Sequence, residues 1–139
     1  MSKEMIKEPS AKTIAEFCAA IANDRKAENV KILEMSKLSV MADYFVLCTA
    51  NSEPHSRAIS NRIGKDVRDK FAVRPKSVEG TPASQWILMD YFSVLVHIMT
   101  PEMRDTYCLE SLWGDAPQIE AVKTVEAFIA EQAKSESES

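Results

Sequence analysis

The chain has 139 residues, 45% hydrophobic and 27% charged, with a net charge of −4, which suits one domain with a core of its own and is too short for two. No apolar run approaches the roughly 20 residues of a membrane span, and the opening MSKEMIKEPS is charged without an apolar stretch, so neither a membrane anchor nor a signal peptide is expected. Cys18, Cys48 and Cys108 are too widely spaced for a disulfide framework or a CxxC pair, which points to a reduced, cytoplasmic setting.

Residues 10–26 carry helical spacing: Ser10 can cap, and Ile14, Phe17, Cys18 and Ile21 fall on one stripe. Val30–Leu33 reads as a short strand. Ala42–Thr49 reads as a stronger one, apolar on both faces as an interior strand is. Ser52 then caps a helix with Pro54 in its first turn; Ile59, Ile63, Val67 and Phe71 form its buried stripe, and Arg74-Pro75 stops it. Ser77–Glu79 is a brief strand ended by Gly80-Thr81-Pro82.

Trp86–Tyr91 and Ser93–Met99 are close enough to form a hairpin, although its connection lacks the Asn-Gly or Asp-Gly of common two-residue turns. Val94, Val96 and Ile98 share one face of the second strand, and Leu95, His97 and Met99 the other. Thr100-Pro101-Glu102 opens a short helix to about Tyr107, Leu109, Leu112 and Trp113 follow, and Gly114–Pro117 breaks the chain. Gln118–Ala133 has the spacing of a last amphipathic helix through Ile119, Val122, Val125 and Ile129, and the SESES end reads as disordered. The expected class is α/β, with a mixed sheet of about five strands flanked by helices. Residues 1–117 would form the domain, 118–134 an additional C-terminal helix and 135–139 a tail.

Charge is segregated. Residues 1–70 hold twelve Lys or Arg against ten Asp or Glu; residues 71–139 hold five against eleven. From Ser77 to Val122 the lone cation is Arg104, amid Glu79, Asp90, Glu102, Asp105, Glu110, Asp115 and Glu120. Such a segment repels phosphate and attracts a basic protein surface. Arg57, Arg62, Lys65, Arg68, Lys70, Arg74 and Lys76 form the opposite pole. They read first as a solvated helix face and second as a weak contact to an RNA backbone, since an acidic chain is a poor stand-alone nucleic-acid binder.

Catalytic signatures are missing. Three glycines make neither GxGxxG nor GxxxxGK[ST], and there is no HExxH. His55 and His97 have no second ligand nearby in sequence, so His97 reads as a core or partner-facing histidine, and no metal or cofactor is implied. Cys48 and Cys108 read as packing residues. Two-metal nucleotidyl transfer needs acids on one side of a strand, hence Asp-x-Asp; the one acid-x-acid pair here is Glu136-x-Glu138, in the tail.

DYFVLCTANS (43–52), VEG (78–80), Trp86 with LMDY (88–91) and VLVHIMTPEMRDTYCLESLW (94–113) together resemble the ribosomal silencing factor family, also called iojap-like proteins. The resemblance spans roughly residues 10–117. It implies a nucleotidyltransferase-like fold without that active site, and a protein that is not an enzyme. It further implies binding to the large ribosomal subunit through a ribosomal protein at the subunit-joining face, which keeps the small subunit from docking and lowers translation, and a homodimer when free. Two departures stand out: Ala50 where members usually carry Gly, and Phe92-Ser93 where they usually carry Gly-Asp.

Blocking association needs a perch, and the energy of such interfaces concentrates in aromatic and Arg anchors. The candidates are Trp86, Tyr91, Arg104, Tyr107 and Trp113. Trp86 opens a strand after a polar loop and Tyr91 sits at a hairpin tip, so both are expected on the surface. Tyr107 and Trp113 divide evenly between packing and contact. Arg104 reads first as half of an ion pair with Asp90 or Glu102. The competing readings are a nucleotide-binding or nucleotidyltransferase-type enzyme, with Asp43 and Asp90 converging, and a dimeric adaptor using the helix after Pro117.

Overall fold

The computed structural model describes residues 9–40 and 42–137. The charged start, residues 1–8, and the final two tail residues lie outside that range. In chain order the elements are α1 (Ala11–Asp24), β1 (Glu28–Glu34), β2 (Tyr44–Thr49), α2 (Glu53–Phe71), β3 (Ser77–Glu79), β4 (Trp86–Asp90), β5 (Val94–Met99), α3 (Pro101–Tyr107), α4 (Leu109–Leu112), β6 (Gln118–Ile119) and α5 (Val125–Ser137). A single 3₁₀ turn at 82–84 precedes β4.

Three helices begin where side-chain oxygens satisfy otherwise orphaned amides. Ser10 accepts from the Thr13 N–H, Ser52 from the His55 N–H and Thr100 from the Met103 N–H. Helix α2 ends at Phe71, ahead of the Arg74-Pro75 stop, because Ala72 turns left-handed (φ 59°) and its N–H closes onto the Arg68 carbonyl.

The strands make one mixed sheet in the order β3-β4-β5-β2-β1-β6. Strands β2 and β5 run parallel, in register from Tyr44–Val94 to Thr49–Met99; the other neighbouring pairs are antiparallel. The sixth strand corrects the reading of 118–133 as one helix. Gln118 and Ile119 pair with Leu33 and Ile32, and the Glu34 N–H donates to the Pro117 carbonyl at 2.8 Å. The exposed edge of β1 offers this segment a ladder, which outweighs a three-to-four-residue apolar spacing that suits either state. Helix α5 starts only at Val125, whose N–H donates to Asp24 Oδ2 at 2.9 Å, while Asn23 Nδ2 donates to the Val122 carbonyl at 2.9 Å. Its buried anchor is Phe128, 5.0 Å from the Phe17 ring, whereas Ile129 is exposed. The helix also continues through 135–137, part of the expected tail.

Alternation along the strands divides the core in two. Ile32, Val46, Cys48, Ile87, Met89, Val94, Val96 and Ile98 point to the side covered by α1, α2 and α5. Leu33, Phe45, Leu47, Leu95 and Met99 point to the other, where the cover is Leu109, Ala116 and the half-buried Trp86, Leu88, Met103 and Trp113. The first side carries three long helices; the second has only short α3 and α4, so apolar side chains stay accessible at its rim.

The β4–β5 hairpin has a two-residue loop, Phe92-Ser93, closed by the Tyr91 N–H on the Val94 carbonyl at 2.8 Å. Phe92 has φ 70°, and the Ser93 N–H donates to the Tyr91 carbonyl at 2.8 Å, the bond of a γ-turn centred on Phe92, where a positive φ favours glycine. The departure at this position therefore places a bulky residue in a left-handed conformation. Ala50 has no such demand: it lies buried at an ordinary backbone angle.

Candidate functional site

The thinly covered side of the sheet carries a row of rings. Tyr107 at the end of α3 lies 5.0 Å from Trp86 on β4; Trp86 lies 5.8 Å from His97 on β5; His97 lies 4.9 Å from Phe45 on β2; and Phe45 meets Trp113, just after α4, edge to face at 6.3 Å. Three of the five proposed anchors thus fall on one surface, joined by two residues that sequence reasoning had not grouped with them. The signal for that grouping was the parity of β5, which puts His97 on the same face as Leu95 and Met99.

Trp86 is fixed from several directions. Its indole N–H donates to His97 Nδ1 at 3.2 Å. Its carbonyl accepts from the Ser84 hydroxyl at 3.0 Å, and the Gln85 carbonyl accepts from the Thr100 N–H at 3.0 Å. Gly80, at φ 86°, lets the chain pass against this carbonyl: a Cβ there would collide with the Trp86 backbone oxygen. A shallow depression of about 310 Å³ opens beside the indole, lined by Glu79, Gly80, Ser84, Trp86, Leu88 and Met103. Tyr107 is 51% exposed and Leu112 68% exposed at the rim. Glu79, Glu102 and Asp105 are exposed within or next to these elements, giving the surface a negative border.

His97 is only 6% exposed. Burial, and then the nearby Arg104 charge, lower its pKa to about 4, so the ring is neutral at pH 7. Because Nδ1 accepts from Trp86, the proton belongs on Nε2, which has no hydrogen-bond partner among the described residues.

Two expectations are corrected. Tyr91 is 2% exposed and packs in the core on the opposite side of the sheet, because the loop turns only at Phe92 and leaves Tyr91 within the ladder. Its hydroxyl has no hydrogen-bond partner among the described residues; burial first, then proximity to Cys18, raises its pKa. Arg104 is 5% exposed, and its ion-pair partner is Glu110 rather than Asp90 or Glu102. Nη2 of Arg104 donates to Glu110 Oε2 at 2.8 Å and to the Asn29 carbonyl at 2.8 Å, Nη1 donates to Thr49 at 2.8 Å, and Nε lies 3.2 Å from both Glu110 oxygens. The short α4 brings Glu110 back over the guanidinium, a proximity that sequence distance alone does not reveal. Burial would raise the Glu110 carboxyl, but the hydrogen bonds and charge of Arg104 hold it below its ordinary value. The guanidinium therefore ties α3 and α4 to β1 and β2, behind the aromatic row.

Asp90 serves the hairpin, accepting from the Phe92 N–H at 2.8 Å. Among the described residues no group of three His, Cys, Asp or Glu is placed to hold a metal ion. Cys48 is buried, and burial pushes its thiol up to about 12 despite the opposing charge of Arg104. Cys18 is buried too, and its pKa is likewise raised by burial and by Cys48. Cys108 is exposed, with its thiol donating to the Asp105 carbonyl at 2.9 Å. No helix among the described residues is long and apolar enough to cross a membrane.

The sequence matches the family described as "Ribosomal silencing factor during starvation" over residues 8–139. It is 40% identical over 106 residues to the ribosomal silencing factor RsfS of Bacillus subtilis (strain 168), covering 76% of this chain and 89% of that one. It is 29% identical over 105 residues to a Mus musculus protein named "Mitochondrial assembly of ribosomal large subunit protein 1", covering 74% of this chain and 46% of that protein. In structure it is similar to a crystal structure of a Chromobacterium violaceum protein, with a TM-score of 0.72 and 27% identity, covering 76% of this chain and 88% of the other.

Proposed function

The chain belongs to the ribosomal silencing factor family, and on that premise we propose that it binds the large ribosomal subunit through a basic ribosomal protein at the subunit-joining face and keeps the small subunit away by bulk alone. The family name describes a regulatory factor that silences ribosomes, and the printed name of the mouse relative concerns the large subunit. The observation that carries the reading is the Tyr107–Trp86–His97–Phe45–Trp113 row on the sparsely covered side of the sheet.

Trp86, Tyr107 and Trp113 act as the anchors, with Leu88, Met103 and Leu112 beside them. Rigid aromatic side chains lose little entropy when an interface orders them, and a few such residues dominate binding energies. The acids around the row steer a basic partner toward it. Arg104 and Tyr91 act from within the fold, one by pinning α3 and α4 and the other by filling the helix-covered core. The action requires occupancy of a surface and no reaction. In the free state two copies associate as a homodimer, and the protein works in the cytoplasm, with a weak contact to ribosomal RNA in the bound state.

Density-gradient sedimentation with free large subunits tests this. The protein should travel with the large subunit and reduce joining when small subunits are added. Trp86→Ala, folded by circular dichroism, should bind more weakly by about 2 kcal/mol or more. Wild-type protein left at the top of a low-salt gradient, or undiminished joining in its presence, would overturn the proposal. Unchanged binding by Trp86→Ala would remove Trp86 as an anchor.

A further inference from the structure

On the other side of the sheet from the aromatic row, α2 and the β3 edge enclose a groove that the proposed protein contact does not use. Its volume is about 560 Å³, and it is lined by Ser60, Asn61, Gly64, Lys65, Arg68, Arg74, Pro75, Val78 and Met89. Ser60, Asn61, Gly64, Lys65 and Arg68 form one stripe of α2, which spans about 12 Å along the helix. Arg74 and Pro75 close one end, and Val78 and Met89 form part of the wall.

Among the described residues, three cations and no acid line the groove. Asp69 lies outside it and holds two of them by their heads: Lys65 Nζ at 3.0 Å and Arg68 Nε at 3.5 Å. Arg74 has no ion-pair partner among the described residues. From Glu53 to Lys76 the chain carries seven Lys or Arg against three Asp or Glu, although its overall charge is −4. Charge of this sign is thus concentrated on one flank, opposite the acids that border the aromatic row.

Gly64 is the second observation. Glycine weakens a helix interior, yet a Cβ here would meet only Met89 Cε at 3.9 Å, an ordinary contact. Neither backbone angle nor crowding demands glycine at this point of α2. Its effect is to leave the floor of the groove open between Asn61, Lys65 and Arg68.

Among the described residues no aromatic lines the groove, so they offer no platform on which bases could stack. What it presents is an open trough of mixed lining, with guanidinium and ammonium groups and the amide and hydroxyl of Asn61 and Ser60 beside an apolar wall of Pro75, Val78 and Met89. That chemistry suits phosphodiester oxygens and 2′-hydroxyls and is indifferent to base identity. We propose that this groove binds the backbone of double-stranded RNA, without sequence preference, while the aromatic row faces a protein. The proposal deepens the ribosome-directed reading above and rests on it for the source of the RNA. Since the two surfaces lie on opposite sides of the sheet, one molecule can engage both.

The test uses the full chain and a fluorescein-labelled RNA hairpin of about 16 base pairs, followed by fluorescence anisotropy from about 25 to about 200 mM salt. Binding should weaken with salt with a log–log slope of about −2 to −3, as neutralising three phosphates predicts. The Arg68→Ala, Arg74→Ala double variant should bind at least about ten-fold more weakly and lose about two units of slope. Gly64→Leu, which fills the groove without altering charge, should weaken binding while the thermal melt shows the fold intact. Trp86→Ala should bind the hairpin as wild type does, even where it loses the large subunit, which separates failure of this proposal from failure of the previous one. Absence of salt-dependent binding, wild-type affinity in both groove variants, tighter binding to single-stranded RNA, or equal binding of polyglutamate would each overturn the proposal.

Discussion

The indole N–H of Trp86 donates to Nδ1 of His97 at 3.2 Å, between diagonal neighbours on adjacent strands of the same sheet face. That bond requires the neutral ring. An imidazolium carries protons on both nitrogens and cannot accept from the indole. The half-buried indole on this sheet face is therefore oriented by a buried histidine whose pKa lies near 4.

The sign of the resulting pH dependence follows. In the unfolded chain His97 titrates near its ordinary value of 6.5, and in the folded protein near 4. Between these values the unfolded state binds more protons, so stability is complete above about 6.5 and falls as pH drops toward 4. Protonation of Glu110, held below its ordinary 4.5 by Arg104, removes further stability at the acid end. The histidine part is worth up to about 3 kcal/mol. Urea titrations from pH 7.5 to pH 4.5 should show the loss, and His97→Leu should flatten it. A wild-type midpoint independent of pH across this range would show that the ring is not held neutral.

Arg104 should be far less replaceable than a surface arginine. Its guanidinium fork reaches Glu110, Thr49 and the Asn29 carbonyl at once. Arg104→Lys keeps the charge and loses the fork, so it should destabilise by about 2 kcal/mol. Arg104→Met, which strands the partly buried Glu110, should reach about 3 kcal/mol. Chemical denaturation measures both, and a loss below about 0.5 kcal/mol in each would show the network to be dispensable.

Phe92 should be improvable. A bulky residue at φ 70° bears a strain of about 1–2 kcal/mol, which glycine relieves while adding entropy to the unfolded chain. Phe92→Gly should therefore raise stability by about 0.5–1 kcal/mol, less the contact of its ring with Lys76 Nζ, 5.9 Å from the ring centroid. A lowered melting temperature would mean that this contact outweighs the strain.

Helix α5 should be integral to the domain. Phe128 is 1% exposed and its ring meets Phe17 at 5.0 Å. Phe128→Ala should destabilise by about 3–5 kcal/mol, whereas Ile129→Ala, on the exposed face of the same helix, should change stability by less than about 0.5 kcal/mol. Similar small effects at both positions would indicate that α5 detaches from α1 in solution.

What could be read from the chain alone was local or periodic. Ser10, Ser52 and Thr100 announced three helix starts because a cap is a bond within three residues. The parity of Val94–Met99 assigned its two faces, since side chains alternate along a regular strand. The motif order from DYFVLCTANS to LESLW carried the family resemblance. Tertiary structure decided whatever depends on residues distant in sequence. Tyr91 became core because the turn formed one residue later than its position at the tip suggested. Arg104 found Glu110 because α4 folds back on α3. Gln118–Ile119 became a strand because β1 had an unpaired edge to offer. The aromatic row was likewise invisible in one dimension: its five rings come from β2, β4, β5, α3 and the end of α4, and only the sheet order places them side by side.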